Sequence, residues 1–266
     1  VSGTPTGGDS GDGPRGAVET GQDAAEMREL LRLTAVGPDR TERYGDHPDQ
    51  LVDHYGEAGD GPLLVLLHGG FWRSAYDRRH LSPFAAALAG HGMRVALVEY
   101  RRGREVGHAA TLDDIREVLT RLPGPMVVAG HSAGGHLALW AASRLPDAHH
   151  HTVAVSAVTD LADAVERDLG AGAVLEFLGE RWRELLGEVD PVTMPPPHGP
   201  VTLVHGTADG QVPMEQAVAY TDRHPAQLLR LPGVGHYAPF LPGTPAFTTL
   251  ALALRNLLAE ARGPAR

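Results

Sequence analysis

The run Gly130-His131-Ser132-Ala133-Gly134 constrains this chain more than any other stretch. It follows the apolar Pro125-Met126-Val127-Val128-Ala129 and precedes the helix-compatible Gly135-His136-Leu137-Ala138-Leu139-Trp140-Ala141-Ala142. Strand, G-x-S-x-G and helix in that order read as a nucleophile elbow. A sharp strand-to-helix turn holds the serine in a strained backbone conformation, and a larger residue at either flanking glycine would crowd it. The hydroxyl then projects from the sheet edge, while the N-terminal amides of the helix face any negative charge that develops there.

The rest of the chain supplies a sheet for such a turn. Short apolar runs at 63–67, 95–100, 126–129, 152–156, 201–205 and 227–231 read as strands. Helical patterns at 83–89, 112–122, 212–222 and 246–261 fall between and after them, with Thr111 as the expected N-cap of the second. Strands alternating with helices imply a mostly parallel sheet covered on both faces, with its ligand site beyond the C-terminal strand ends. Segments 40–44 and 51–55 flank a turn-rich stretch and read as an antiparallel edge hairpin. The expected architecture is an α/β-hydrolase fold, with an eight-stranded, mostly parallel sheet, helices on both faces and a small cap segment. Residues 1–22 read as a disordered tail and 23–266 as one domain, with a short helix over 24–33 that puts Met27, Leu30 and Leu31 on one side. The alternation breaks over 161–199, read either as a cap insertion lining one side of a pocket or as a long crossover.

Composition removes several classes of function. The 266 residues suit one large domain, and a net charge of −10 without a dense Lys/Arg block argues against nucleic acid or an anionic membrane surface as partner. With no cysteine, thiolate metal sites and a Cys nucleophile are excluded. No apolar run is long enough to span a bilayer, and no basic-then-apolar leader precedes the domain, so the expected location is cytoplasmic. The expected partner is a small-molecule substrate, with a homodimer left open. No cofactor is called for, and the His149-His150-His151 cluster lacks the spacing of a metal site.

A serine hydroxyl needs a base, an orienting acid and donors for an oxyanion. In this layout they follow in the order Ser, Asp/Glu, His. Asp209 lies in a Gly-flanked turn just after a predicted strand, with Asp160 in reserve. His236 follows the last strand on a loop with two glycines. His131, His136 and His205 read as packing or pocket-lining groups. The loop Leu67-His68-Gly69-Gly70-Phe71-Trp72 is the expected oxyanion segment, with the amides of Ala133 and of Gly70 or Phe71 as donors.

These motifs resemble those of a known family. His68-Gly69-Gly70-Phe71-Trp72 and Gly130-His131-Ser132-Ala133-Gly134-Gly135-His136-Leu137 are similar to the HGG-x-W and GHSAG-x-HL motifs of kynurenine formamidases (arylformamidases). Tyr44-Gly45, Gln50, Asp53-His54-Tyr55, Val98-Glu99-Tyr100-Arg101 and Ser156 to Leu161 also resemble segments of that family. The resemblance implies a Ser132–Asp209–His236 triad and hydrolysis of N-formyl-kynurenine to kynurenine and formate without a metal. Trp72 and Tyr237 would then offer aromatic faces to the substrate ring, and Arg73, Arg101 or Arg102 would bind its carboxylate. A carboxylesterase for small acyl esters is the alternative on the same machinery.

Overall fold

A computed structural model describes residues 21–146 and 150–262. In chain order the elements are α1 (Gly21–Arg32), β1 (Arg40–Arg43), β2 (Leu51–Tyr55), β3 (Leu63–Leu67), α2 (Ser82–Gly90), β4 (Arg94–Glu99), α3 (Gly107–Arg121), β5 (Met126–His131), α4 (Ala133–Arg144), β6 (His151–Val155), α5 (Leu161–Glu166), α6 (Ala173–Leu178), α7 (Trp182–Val189), β7 (Val201–Gly206), α8 (Met214–Arg223), β8 (Gln227–Leu231) and α9 (Pro245–Ala261). Short 3₁₀ turns at Arg78–Leu81 and Ala238–Phe240 complete the set.

The strands form one eight-stranded sheet in the order β1-β2-β4-β3-β5-β6-β7-β8. β1 and β2 are antiparallel, as are β2 and β4, and every other pairing is parallel. Strand β3 shows why the middle of the sheet reads as unbroken apolar sequence, for it is buried at every position. Leu63, Val65 and Leu67 pack with α3 and α4, while Leu64 and Leu66 pack with α2 and α9. The period-2 alternation of a strand thus feeds two helical layers. Edge strand β1 is Arg-Thr-Glu-Arg and wholly exposed, a charged border that discourages further strand pairing.

One expectation needs correction, and two others fall largely or partly outside the described residues. Helix α3 begins at Gly107, a turn earlier than the pattern suggests, so Thr111 lies inside it and caps nothing. The Thr111 hydroxyl instead donates to the Arg101 carbonyl at 2.8 Å. The tail expected over 1–22 lies outside the described residues up to position 20, and Gly21 and Gln22 open α1. The His149 end of the histidine cluster also lies outside the described residues, and His151 is paired with the Thr202 hydroxyl at 3.0 Å.

The 161–199 segment forms three short helices, α5 to α7, that pack on one another and on α3. Phe177, Trp182 and Val189 join the core on that face. Asp190 closes the segment, and its carboxylate accepts from the Leu161 amide at 3.0 Å, tying the end of α7 to the start of α5. Its second oxygen is buried and unpartnered. Burial pushes the Asp190 carboxyl up to about 7, aided by the nearby Asp160, against the pull of two backbone amides. Between its ordinary value of 3.8 and about 7, the folded chain holds a proton there that the unfolded chain has released. Stability therefore falls as pH rises through that window, and Asp190→Asn should remove the fall. In urea titrations the variant should gain roughly 2–4 kcal/mol on wild type at pH 8 relative to pH 4. Equal behaviour at both pH values would show that folding leaves the Asp190 carboxyl at its ordinary value.

Candidate active site

The turn after β5 has the geometry its glycines suggest. Ser132 sits at φ 53°, ψ −117°, a conformation a non-glycine residue rarely adopts. A Cβ at Gly130 would lie 2.1 Å from the Gly134 carbonyl oxygen, and one at Gly134 would lie 2.3 Å from that of Leu67. The Ser132 amide donates to the Val155 carbonyl at 2.9 Å, pinning the turn to β6. Ala133 is the first residue of α4, so its amide has no acceptor within the helix.

Chain segments far apart in sequence meet at the same rim. Asp209 follows β7 and His236 follows β8, and the His236 Nδ1 lies 2.8 Å from the Asp209 Oδ2. The other Asp209 oxygen accepts from the amides of Gln211 and Val212 at 3.0 and 2.9 Å. Burial opposes its charge, but the His236 ring, the hydrogen bond from it and the Val212 amide hold the Asp209 carboxyl below the usual range. An ionised Asp209 accepts the proton on Nδ1, which leaves Nε2 of His236 as the basic nitrogen. The His236 carbonyl accepts from the His131 Nε2 at 3.1 Å, and its ring meets Tyr237 edge-on at 4.7 Å. Burial, with the nearby His236 and His80 rings, keeps His131 well below its ordinary value and so neutral. His205 is packed, with its Nε2 donating to the Val212 carbonyl at 2.8 Å. Asp160, the reserve acid, is occupied elsewhere as the N-cap of α5.

The loop after β3 folds through three consecutive left-handed residues, Gly70 (φ 116°), Phe71 (φ 57°) and Trp72 (φ 55°). At Gly70 the bend is crowded, since a Cβ there would lie 2.4 Å from that of Tyr76. Gly70, Phe71, Ser132, His236 and Tyr237 line one small cavity of about 30 Å³, room for a water or two. Tyr76, His80, His131 and, from α1, Met27, Leu30 and Leu31 complete its wall. One expectation fails here. Trp72 is no part of this wall. Its ring is buried in the core, stacked on Phe177 at 4.8 Å and edge-on to His136 at 5.2 Å. The 161–199 segment contributes no residue to this wall, whereas α1 contributes three.

Beneath the loop lies Glu99, which is 1% exposed. Its carboxylate takes hydrogen bonds from the His68 ring at 2.9 Å, the Arg102 guanidinium at 2.5 Å and the Arg78 amide at 3.0 Å. Burial opposes the charge, yet these partners outweigh it and hold the carboxyl at about 2. The His68 ring stacks on Tyr100 at 4.5 Å, and the Tyr100 hydroxyl donates to the His68 carbonyl at 2.6 Å. The expected substrate-binding arginines are all engaged. Arg73 pairs with Glu176 at 2.6 Å, Arg101 with Asp114 at 2.6 Å and Arg102 with Glu99.

This sheet, with an elbow serine and an Asp–His pair at its C-terminal rim, defines an α/β-hydrolase. Within that class the chain belongs to the BD-FAE family, whose model matches residues 52–223, well over half of it. Esterase LipC of Mycobacterium tuberculosis is 26% identical over 80% of this chain and 64% of its own length. A pimeloyl-[acyl-carrier protein] methyl ester esterase of Nitrosospira multiformis is 37% identical over 33% of this chain. The matches span only 35% and 64% of those two relatives. Among solved structures, an esterase of Pyrobaculum calidifontis superposes with a TM-score of 0.70 at 19% identity, covering 91% of this chain and 92% of its own. Esterase B of Lactobacillus rhamnosis gives 0.68 at 19%, covering 90% and 91%. The fold is therefore that of esterase-type hydrolases. Among the described residues, no helix is long and apolar enough to cross a membrane.

Removing Glu99 strands His68, Arg102 and Arg78 around an empty site. Glu99→Ala should lower the unfolding free energy by about 3–5 kcal/mol near pH 7. A carboxyl held at about 2 stabilises the fold fully above its ordinary 4.5 and loses that contribution as pH falls through 2. The gap between wild type and variant should therefore narrow in acid, as denaturant titrations at pH 7 and pH 3 would reveal.

Proposed function

We propose that the protein is a serine carboxylesterase that cleaves small acyl esters through an acyl-enzyme. One observation carries the reading. The Asp209–His236 pair, 2.8 Å apart, and the strained Ser132 open onto one small cavity. In the first half-reaction the Ser132 Oγ attacks the acyl carbon and gives its proton to His236 Nε2. The tetrahedral oxyanion takes hydrogen bonds from the Ala133 amide and from that of Gly70 or Phe71. Collapse breaks the bond to the leaving alcohol, which takes the proton from His236. Water then repeats the sequence on the acyl-serine and releases the acid. Asp209 keeps the imidazole oriented and stabilises its transient positive charge.

The cavity size favours a short acyl group, and the relatives named above are esterases. An N-formyl aryl amine, the substrate class suggested by the motif resemblance, fits the same small acyl pocket and is the second reading. For N-formyl-kynurenine in particular, the occupied arginines count against it. Arg73, Arg101 and Arg102 each already hold a carboxylate, so a substrate carboxylate would have to displace one.

Steady-state rates on short p-nitrophenyl esters and on N-formyl-kynurenine test the choice. The ester should win by at least about 100-fold in kcat/KM, and the opposite ranking would make the formamidase reading the correct one. Ser132→Ala should abolish turnover of both with the fold intact, because the elbow tolerates a smaller side chain. Asp209→Asn should lower kcat by about 10³–10⁴ through loss of the correct tautomer. A larger loss from Asp160→Asn than from Asp209→Asn would transfer the acid role to Asp160.

A further inference from the structure

The loop that carries His236 has little regular structure to hold it. Between β8 and the turn at Ala238–Phe240, its amides must find acceptors outside any strand or helix. Helix α1, more than 200 residues earlier in the chain, supplies them. The Glu26 carboxylate accepts from the amide of Gly235 at 3.1 Å through one oxygen, and from those of Tyr237 and Ala238 at 3.0 Å through the other. Asp23, which is wholly buried, accepts from the His236 amide at 2.8 Å through Oδ1 and from the Gly210 amide at 2.8 Å through Oδ2. Gly210 is the residue after Asp209. One carboxylate thus bridges the acid loop and the base loop, while its neighbour one turn along grips the base loop on both sides of His236. Gln22 adds a bond from its side-chain amide to the Gly233 carbonyl at 2.9 Å.

The loop is shaped to receive this grip. A Cβ at Gly235 would lie 2.6 Å from both carboxylates, so a side chain there would push them away. The same helix face places Met27, Leu30 and Leu31 against the cavity that Ser132 and His236 line. Leu30 is buried, whereas Leu31 is about half exposed.

We propose that Asp23 and Glu26 of α1 are positioning residues for catalysis, holding the Asp209 and His236 loops at the spacing the relay needs. They touch neither substrate nor reacting atoms and act through the backbone of the residues that do. The proposal rests on the reading of Ser132, Asp209 and His236 as the catalytic set. Loss of the clamp frees His236 to sample positions in which Nε2 does not face Ser132. Binding of a short ester in the cavity is little affected, so the loss falls on kcat.

Asp23→Asn is isosteric but replaces one of two acceptors by a donor that opposes an amide. Glu26→Gln does the same at a more exposed position and serves if the first variant fails to fold. Each should lower kcat on p-nitrophenyl acetate by at least ~10-fold with KM changed by less than ~2-fold. The rate at which a fluorophosphonate labels Ser132 should fall in parallel. Hydrogen exchange should show faster exchange at the Gly210 and His236 amides in Asp23→Asn. Leu258→Ala in α9, matched for loss of Tm, should leave kcat and labelling at wild-type values. Folded variants at Asp23 and Glu26 with wild-type kcat and labelling rate would overturn the proposal, as would an equal loss in the Leu258 control. Failure of the underlying reading looks different, since Ser132→Ala would then keep its activity or its fluorophosphonate labelling.

Discussion

The site depends on one close approach, that of the start of α4 to the end of β3. Gly134 lies so near the last residues of β3 that a methyl group there would meet the Leu67 and His68 carbonyl oxygens at 2.3 and 2.4 Å. That contact sets the elbow against the loop after β3, because that loop begins at His68. A Cβ at Gly69 would in turn lie 3.1 Å from that of Ser132. The spacing between Ser132 and that loop is thus fixed by backbone packing against backbone, with no side chain between to relax. The strain at Ser132 persists because parallel pairing of β5 with both β3 and β6 holds the turn from either side.

Glu99 performs the same service one layer deeper. A buried carboxylate is tolerated only when charged and polar partners surround it, and here they come from three chain segments. The network extends well beyond the elbow and the loop after β3. Tyr44 donates its hydroxyl to the Glu99 carbonyl, Gln50 donates to Asp114, and Asp53 pairs with Arg78. Arg101 and Asp114 close the set. These residues brace the loop after β3 and the start of α3. A likeness carried by such residues reports how the loop after β3 is supported.

Much of this was legible because strand and turn signals are local. The runs at 63–67 and 227–231 match β3 and β8 residue for residue, and the edge hairpin falls where its turn residues place it. The Asp209–His236 contact follows from strand order once the elbow is recognised. The early start of α3 is a local boundary effect, but what was missed at the site turns on contacts made at long range. Trp72 reads as a pocket aromatic because it flanks the oxyanion glycines, but its left-handed backbone turns the ring into the core, onto Phe177. The carboxylates of α1 carry no local signal at all. Asp23 and Glu26 look like ordinary acids in the first turns of an amphipathic helix, and only the folded chain shows which amides they meet.

The location of α1 also bears on what the pocket admits. In many α/β sheets a cap is an insertion between strands, and 161–199 is where sequence length would place one. That segment instead buries Phe177 and Trp182 in the core and holds Arg73 through Glu176 and the Gly170 carbonyl. It buttresses the oxyanion loop from outside. The wall over Ser132 falls to α1, whose covering residues are aliphatic and sulfur-containing side chains with no donor to offer a substrate. Such a wall can measure the length of an acyl chain, but it cannot select for a charged one. Under the proposed esterase reading, a small cavity walled on this side by apolar residues suits short neutral acyl groups. On that reading, discrimination rests on the volume left between Met27, Leu31 and Phe71.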